Sequence, residues 1–164
     1  MNLLDAAILG VVEGITEFLP ISSTGHLILA NTLLGIPATE FAKSFEIAIQ
    51  LGAMCAVLAL YLRSFFDIEI LKRLVVGFIP TGVIGFTVYP FVKAILLGSP
   101  LTVVIALAVG GLVLIGFEML HIKADEARAD LRAMPYGRAA LIGLAQSVAI
   151  IPGVSRSAAT IVGG

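Results

Sequence analysis

Residues 13–26, EGITEFLPISSTGH, set two glutamates, a proline, three successive hydroxyls and a histidine inside a segment that otherwise reads as apolar helix. Glu13 and Glu17 stand four apart, so on a helix they share one face, with their Cβ atoms about 6 Å apart. Beyond Pro20, any of Ser22, Ser23 and Thr24 can cap a second helix running through GHLILANTLL. The pattern is helix, polar break, helix.

The surroundings decide what solvent that break meets. The chain of 164 residues is 59% hydrophobic and 13% charged, well outside the usual composition of a soluble domain. It reads as an all-α integral membrane protein. A net charge of -1 and the lack of any long basic or acidic block argue against nucleic acid as a partner. Cys55, alone in an apolar run, excludes an internal disulfide and offers no zinc or CxxC pattern.

Three segments, 42–62, 74–97 and 101–120, are apolar over the roughly 20 residues that a helix needs to cross a bilayer. Pro80 and Pro90 predict a kink or break in the second. Seven of the ten Lys and Arg residues fall in two loops: Arg63, Lys72 and Arg73 in 63–73, and Lys123, Arg128, Arg132 and Arg138 in 121–138. Short basic loops face the cytoplasm, which leaves the 98–100 turn and the stretch before residue 42 outside.

Residues 1–35 and 138–164 each start as apolar helix, break at Pro or Gly among polar residues and turn apolar again, so each reads as a re-entrant hairpin. At an offset of 133, Ala6 matches Ala139, Ala7 Ala140, Gly10 Gly143, Ser22 Ser155 and Ile28 Ile161, and Glu13 falls opposite Gln146. Three crossings between the hairpins make them an inverted-topology repeat with both tips near the midplane. Backbone broken at that depth must line a cavity or be buried in protein.

Acids inside a membrane usually face a partner, a polar cavity or a cation. For Glu13 and Glu17 the options are divalent-cation binding, since oxygen ligands suit Mg²⁺ and Ca²⁺, general acid/base work, or a purely structural role. His26 lies three residues after Ser23, within reach as base for a hydroxyl nucleophile if the backbone is helical. In PGVSRSAAT, residues 152–160, Arg156 is the only basic residue of a long apolar stretch, and a buried arginine demands an anion. Its fork matches phosphate oxygens, with hydroxyls and helix-start N–H groups as further donors; pairing with Glu13 or Glu17 is the alternative. Glu46, Gln50 and Glu118 are further polar groups on the apolar segments, without an assigned role.

On these residues the chain resembles the undecaprenyl-diphosphate phosphatases of the bacitracin-resistance type. The family pattern (E/Q)xxxE matches at Glu13 and Glu17, and PGxSRSxxT at Pro152, Gly153, Ser155, Arg156, Ser157 and Thr160; SSTGH and SFEIAIQLGA (44–53) are also similar. The resemblance implies hydrolysis of undecaprenyl diphosphate to undecaprenyl phosphate and phosphate, which recycles the lipid carrier for cell-wall synthesis and counters bacitracin. It further implies a divalent-cation requirement, Mg²⁺ or Ca²⁺, at Glu13 and Glu17, and residence in the bacterial inner membrane with the site open to the outer side. Members of that family are longer, so a chain shortened after its second hairpin is expected. Ser23 is the expected nucleophile and His26 its base, with Ser22 or a directly attacking water as alternatives. Ser22, Thr24, Ser155, Arg156, Ser157 and Thr160 hold the phosphates. Expected partners are undecaprenyl diphosphate and membrane lipids, with a homodimer left open. A lipid-carrier flippase or transporter built on the same repeat is the rival reading.

Overall fold

The computed structural model describes residues 1–95, 100–120 and 131–164, and all regular structure among them is helical. The order is α1 (Leu3–Thr16), α2 (Ser23–Leu33), α3 (Glu40–Leu60), α4 (Leu62–Phe65), α5 (Ile68–Ile95), α6 (Pro100–Leu120), α7 (Tyr136–Gln146) and α8 (Arg156–Gly163). Short 3-10 turns precede and follow α7.

Helices α3, α5 and α6 supply three segments long and apolar enough to cross a membrane: Glu40–Leu60, Ile68–Val92 and Leu101–Leu120. Their large apolar side chains point away from protein, Phe78, Phe86 and Leu112 among them. Such a surface would be unstable against water and is at home against acyl chains. This is a membrane protein.

The second crossing starts earlier than the hydropathy pattern suggests. Its first two turns, IEILKR, read as loop because they are charged. Asp67 Oδ1, however, accepts the amide hydrogens of Glu69 and Ile70 (3.0 and 3.3 Å), and Glu69 pairs with Lys72 (2.8 Å) and Arg73 (3.0 Å) one turn on. Capping and i,i+3 or i,i+4 pairs make a charged segment helical. Lys72 and Arg73 therefore lie on α5 rather than in a loop. Neither Pro80 nor Pro90 interrupts α5, so of the kink or break expected there the break is absent; membrane helices accommodate proline when neighbours satisfy the freed backbone.

Two short hairpins flank the crossings: α1 packs on α2, and α7 on α8. Around the first, Leu9, Leu27 and Glu13 are fully buried, with α3 alongside α1. The second is held against α5 by backbone contact. A Cβ on Gly143 would collide with the backbone of Gly77, and Thr81 Oγ1 donates to the Gly143 carbonyl at 2.7 Å. At the other end of α7, Arg73 donates to the Met134 carbonyl (2.7 Å) and its guanidinium lies 4.9 Å from the centre of the Tyr136 ring, while Arg132 pairs with Asp67. Lys123 and Arg128 of the second basic loop, and most of the 98–100 turn, lie outside the described residues.

Candidate active site

Each hairpin reverses over a short non-helical tip, 17–22 in the first and 151–155 in the second, and each second helix starts under a serine. Ser22 Oγ accepts from Gly25 N (3.3 Å) and Ser155 Oγ from Ala158 N (3.2 Å). Ser22 reaches its position at φ 64°, the one non-glycine residue with positive φ among the described residues, a conformation that costs about 1–3 kcal/mol and persists only where its surroundings enforce it. Here the Ser22 carbonyl also accepts from His26 Nδ1 at 2.9 Å. Because a carbonyl can only accept, His26 carries a proton on Nδ1 in this contact.

The second tip owes its path to Gly153. Its φ of +94° disfavours any side chain, and a Cβ there would stand 2.8 Å from the Val103 carbonyl oxygen and 2.9 Å from the Ala106 Cβ of α6. With the tip pressed onto α6, α8 starts beside the first hairpin. Ser157 Oγ donates to the Leu19 carbonyl at 3.0 Å and lies 2.9 Å from Ser155 Oγ.

Between the tips opens a cavity of about 340 Å³. The first motif contributes Glu17, Ser22, Ser23 and Thr24, and the second contributes Ser155, Arg156, Ser157 and Thr160. Two sequence segments more than 120 residues apart thus share one wall-to-wall space. Apolar groups complete it: Phe18, Leu19 and Val154 from the tips, Ala149 from the 3-10 turn after α7, and Met54 and Val57 from α3. Polar donors facing apolar walls suit an amphiphile with an anionic head.

Within the cavity the hydroxyls are not equivalent. Those of Ser22 and Ser155 cap helices, Ser157 bridges the hairpins, and Thr160 Oγ1 returns to the carbonyls of Arg156 and Ser157 (3.2 and 2.9 Å). Ser23 Oγ instead donates to Glu17 Oε2. It is the serine in contact with a carboxylate. His26, expected as its base, is outside the cavity lining. Arg156, expected to be buried, is exposed as the first residue of α8 and faces the cavity. Among the described residues it forms no ion pair with Glu13 or Glu17, so its fork is open to a ligand.

Glu13 sits one turn behind Glu17, away from the cavity wall, 1% exposed and with neither carboxylate oxygen hydrogen-bonded. Opposite it in the sequence offset, Gln146 does line the cavity. Nothing marked Gln146 for that role except its alignment with Glu13. Met54 and Val57 carried no signal either, being ordinary apolar residues of a crossing. The buried oxygens of Glu13 fit a hard cation, although no three His, Cys, Asp or Glu side chains converge on a metal position among the described residues.

The family model for bacitracin resistance protein BacA matches residues 6–164. The chain belongs to the BacA family. It is 51% identical over 164 residues to the undecaprenyl-diphosphatase of Sulfurihydrogenibium sp., covering 100% of this chain and 64% of that relative. It is 53% identical over 160 residues to that of Aquifex aeolicus, covering 97% and 62%, and 49% identical to that of Thermus thermophilus, covering 98% and 62%. The chain thus spans somewhat less than two thirds of the length of these BacA relatives. Both motifs that build the cavity lie inside the matched region.

Proposed function

We propose that this BacA-family chain carries the diphosphate site of an undecaprenyl-diphosphate phosphatase, an enzyme releasing phosphate from the lipid carrier. The carrying observation is the single cavity lined by both motifs, with the Ser23–Glu17 contact on one side and the unpaired Arg156 on the other. The names of the relatives agree with this chemistry. In this reading the polyprenyl tail stays among the acyl chains while the headgroup enters between the tips.

The Ser23 oxygen attacks the terminal phosphorus as its proton passes to Glu17, and the bridging P–O bond breaks to free undecaprenyl phosphate. Water then cleaves the phosphoserine, restoring the Ser23 hydroxyl and releasing phosphate; the proton on Glu17 leaves with the products. Arg156 and the free N–H groups at the start of α8 hold the equatorial oxygens, where charge accumulates in the transition state. His26 holds the Ser22 carbonyl and so fixes the strained turn that aims Ser23. Of the two acids expected to hold a divalent cation, Glu13, buried and without a hydrogen bond, is the one that would hold it, while Glu17 takes the Ser23 proton; the ion when bound would supply counter-charge beside the site.

We further propose that the hairpins are re-entrant from opposite faces of a bacterial inner membrane, with the site open outward. The clustering of seven basic residues in the sequence segments 63–73 and 121–138 supports that sidedness. In a Cys55→Ser background, a cysteine at Ala38 should react with an impermeant thiol reagent in intact cells and one at Ser64 should not; the reverse pattern inverts the topology.

The functional test is phosphate release from undecaprenyl diphosphate in detergent with Mg²⁺ or Ca²⁺ present. Arg156→Lys keeps the charge and loses the planar fork, so turnover should fall about 100- to 1,000-fold at unchanged melting temperature. Near-normal turnover in that variant would refute the phosphate clamp. A wild-type protein that moves the lipid without releasing phosphate would favour transport instead.

A further inference from the structure

The buried side-chain oxygens and nitrogens left without a partner among the described residues are three: both carboxylate oxygens of Glu13 and Oδ1 of Asn31. All are acceptors. Asn31, on α2, spends its donor on α3, giving Nδ2–H to Glu46 Oε1 at 2.5 Å. Glu13 is buried on α1 at the junction of those same helices, since α1 packs on both α2 and α3. Helix α3 turns Ala42, Glu46 and Ala53 inward, and Ala42 and Ala53 are buried. Lys43, the only Lys or Arg on the three helices, is exposed and paired with Glu40 at 2.9 Å.

The orphaned oxygens of Glu13 and Asn31, and the Glu46 carboxylate bonded to Asn31, are carried by α1 and the two helices packed on it. They are costly without a counter-charge, because buried acceptors and charges require donors or a cation. Oxygen ligands with two negative charges match a hard divalent ion. Glu17 is a poorer companion for Glu13, since one of its oxygens is engaged by Ser23.

We propose that a divalent cation binds between α1, α2 and α3 on Glu13, Asn31 and Glu46, behind the phosphate cavity rather than in it. None of the three residues lines that cavity. The ion there neutralises the acids that flank Glu17, leaving Glu17 free to take the Ser23 proton. The proposal rests on the phosphatase reading only for that last effect, and the site itself can be tested without turnover.

The experiment is equilibrium binding of Mn²⁺ to the purified full chain in detergent, with melting temperature measured alongside. Glu46→Gln should weaken Mn²⁺ binding about 10- to 100-fold, whereas Glu17→Gln should change it only slightly. Asn31→Asp puts a carboxylate beside Glu46, so Mn²⁺ should raise its melting temperature by more than it raises that of the wild type. If Glu46→Gln binds Mn²⁺ as the wild type does, or fails to fold while Asn31→Asp gains nothing from Mn²⁺, the site is refuted. Absence of phosphate release in the wild type would overturn the phosphatase reading and leave these binding results standing.

Discussion

α1–α2 and α7–α8 start 133 residues apart at both helices, Leu3 against Tyr136 and Ser23 against Arg156, and a serine caps each second helix. They are loaded in opposite ways. The first buries an acid, Glu13, and points another, Glu17, at the serine that follows; the second offers Gln146 where the first has Glu13, and an arginine where the first has Ser23. Their anchoring also differs. A Cβ on Gly10 or Gly14 of α1 would meet nothing within 4 Å, whereas Gly143 and Gly153 are pressed against the backbones of α5 and α6. One hairpin carries the reactive groups, with open space at its α1 glycines and Gly25 of α2 against the Leu107 side chain, and the other is held by backbone contact and presents the phosphate-holding groups. For phosphoryl transfer that division is useful, because donors that hold developing charge work best when preorganised.

The sharpest way to break the comparison is to exchange its chemistry. Ser23→Ala should abolish phosphate release by at least about 1,000-fold, the scale of losing a nucleophile. Glu17→Gln should cost about 100- to 10,000-fold, as for a general base, whereas Gln146→Ala should cost less than either in the same phosphate-release assay. Equal losses at Glu17 and Gln146 would mean that the hairpins are chemically alike.

The anchoring difference predicts stability effects of a smaller order. Gly153→Ala combines a positive φ with overpacking against Val103 and Ala106 and should destabilise by about 2–4 kcal/mol. Gly143→Ala should cost about 1–3 kcal/mol or more through its contact with Gly77. Gly10→Ala, at the matching position of the first hairpin, should instead be neutral or gain up to about 1 kcal/mol from helix propensity. Thermal or denaturant melts in one detergent compare all three. A destabilising Gly10→Ala would show that α1 is packed as closely as α7.

Much of this was legible in the residues themselves. Apolar length located the three crossings, and the hydroxyl run Ser22, Ser23 and Thr24 contains the cap of α2, Ser22. The start of α5 was not, since IEILKR is charged and its helical state depends on the Asp67 cap and the Glu69 pairs rather than on hydropathy. Arg156 was misjudged for a related reason. Apolar neighbours in sequence imply burial, but the first residue of a helix that starts at a cavity rim has solvent before it. The spacing within SSTGH does not show that, once Ser22 takes a positive φ, His26 bonds the Ser22 carbonyl and Glu17 reaches Ser23. Tertiary contacts such as Met54 and Val57 on the cavity, or Asn31 on Glu46, leave no local pattern to read.

The central claim is that both tips hold one headgroup. In the Cys55→Ser background, single cysteines at Thr24 and Thr160 line the same cavity from opposite hairpins. Their rates of modification by a soluble thiol reagent, titrated with undecaprenyl diphosphate in detergent, test the claim directly. Both rates should fall together, with the same half-saturating concentration. Protection of Thr24→Cys alone, or of the two at separate concentrations, would contradict a shared site.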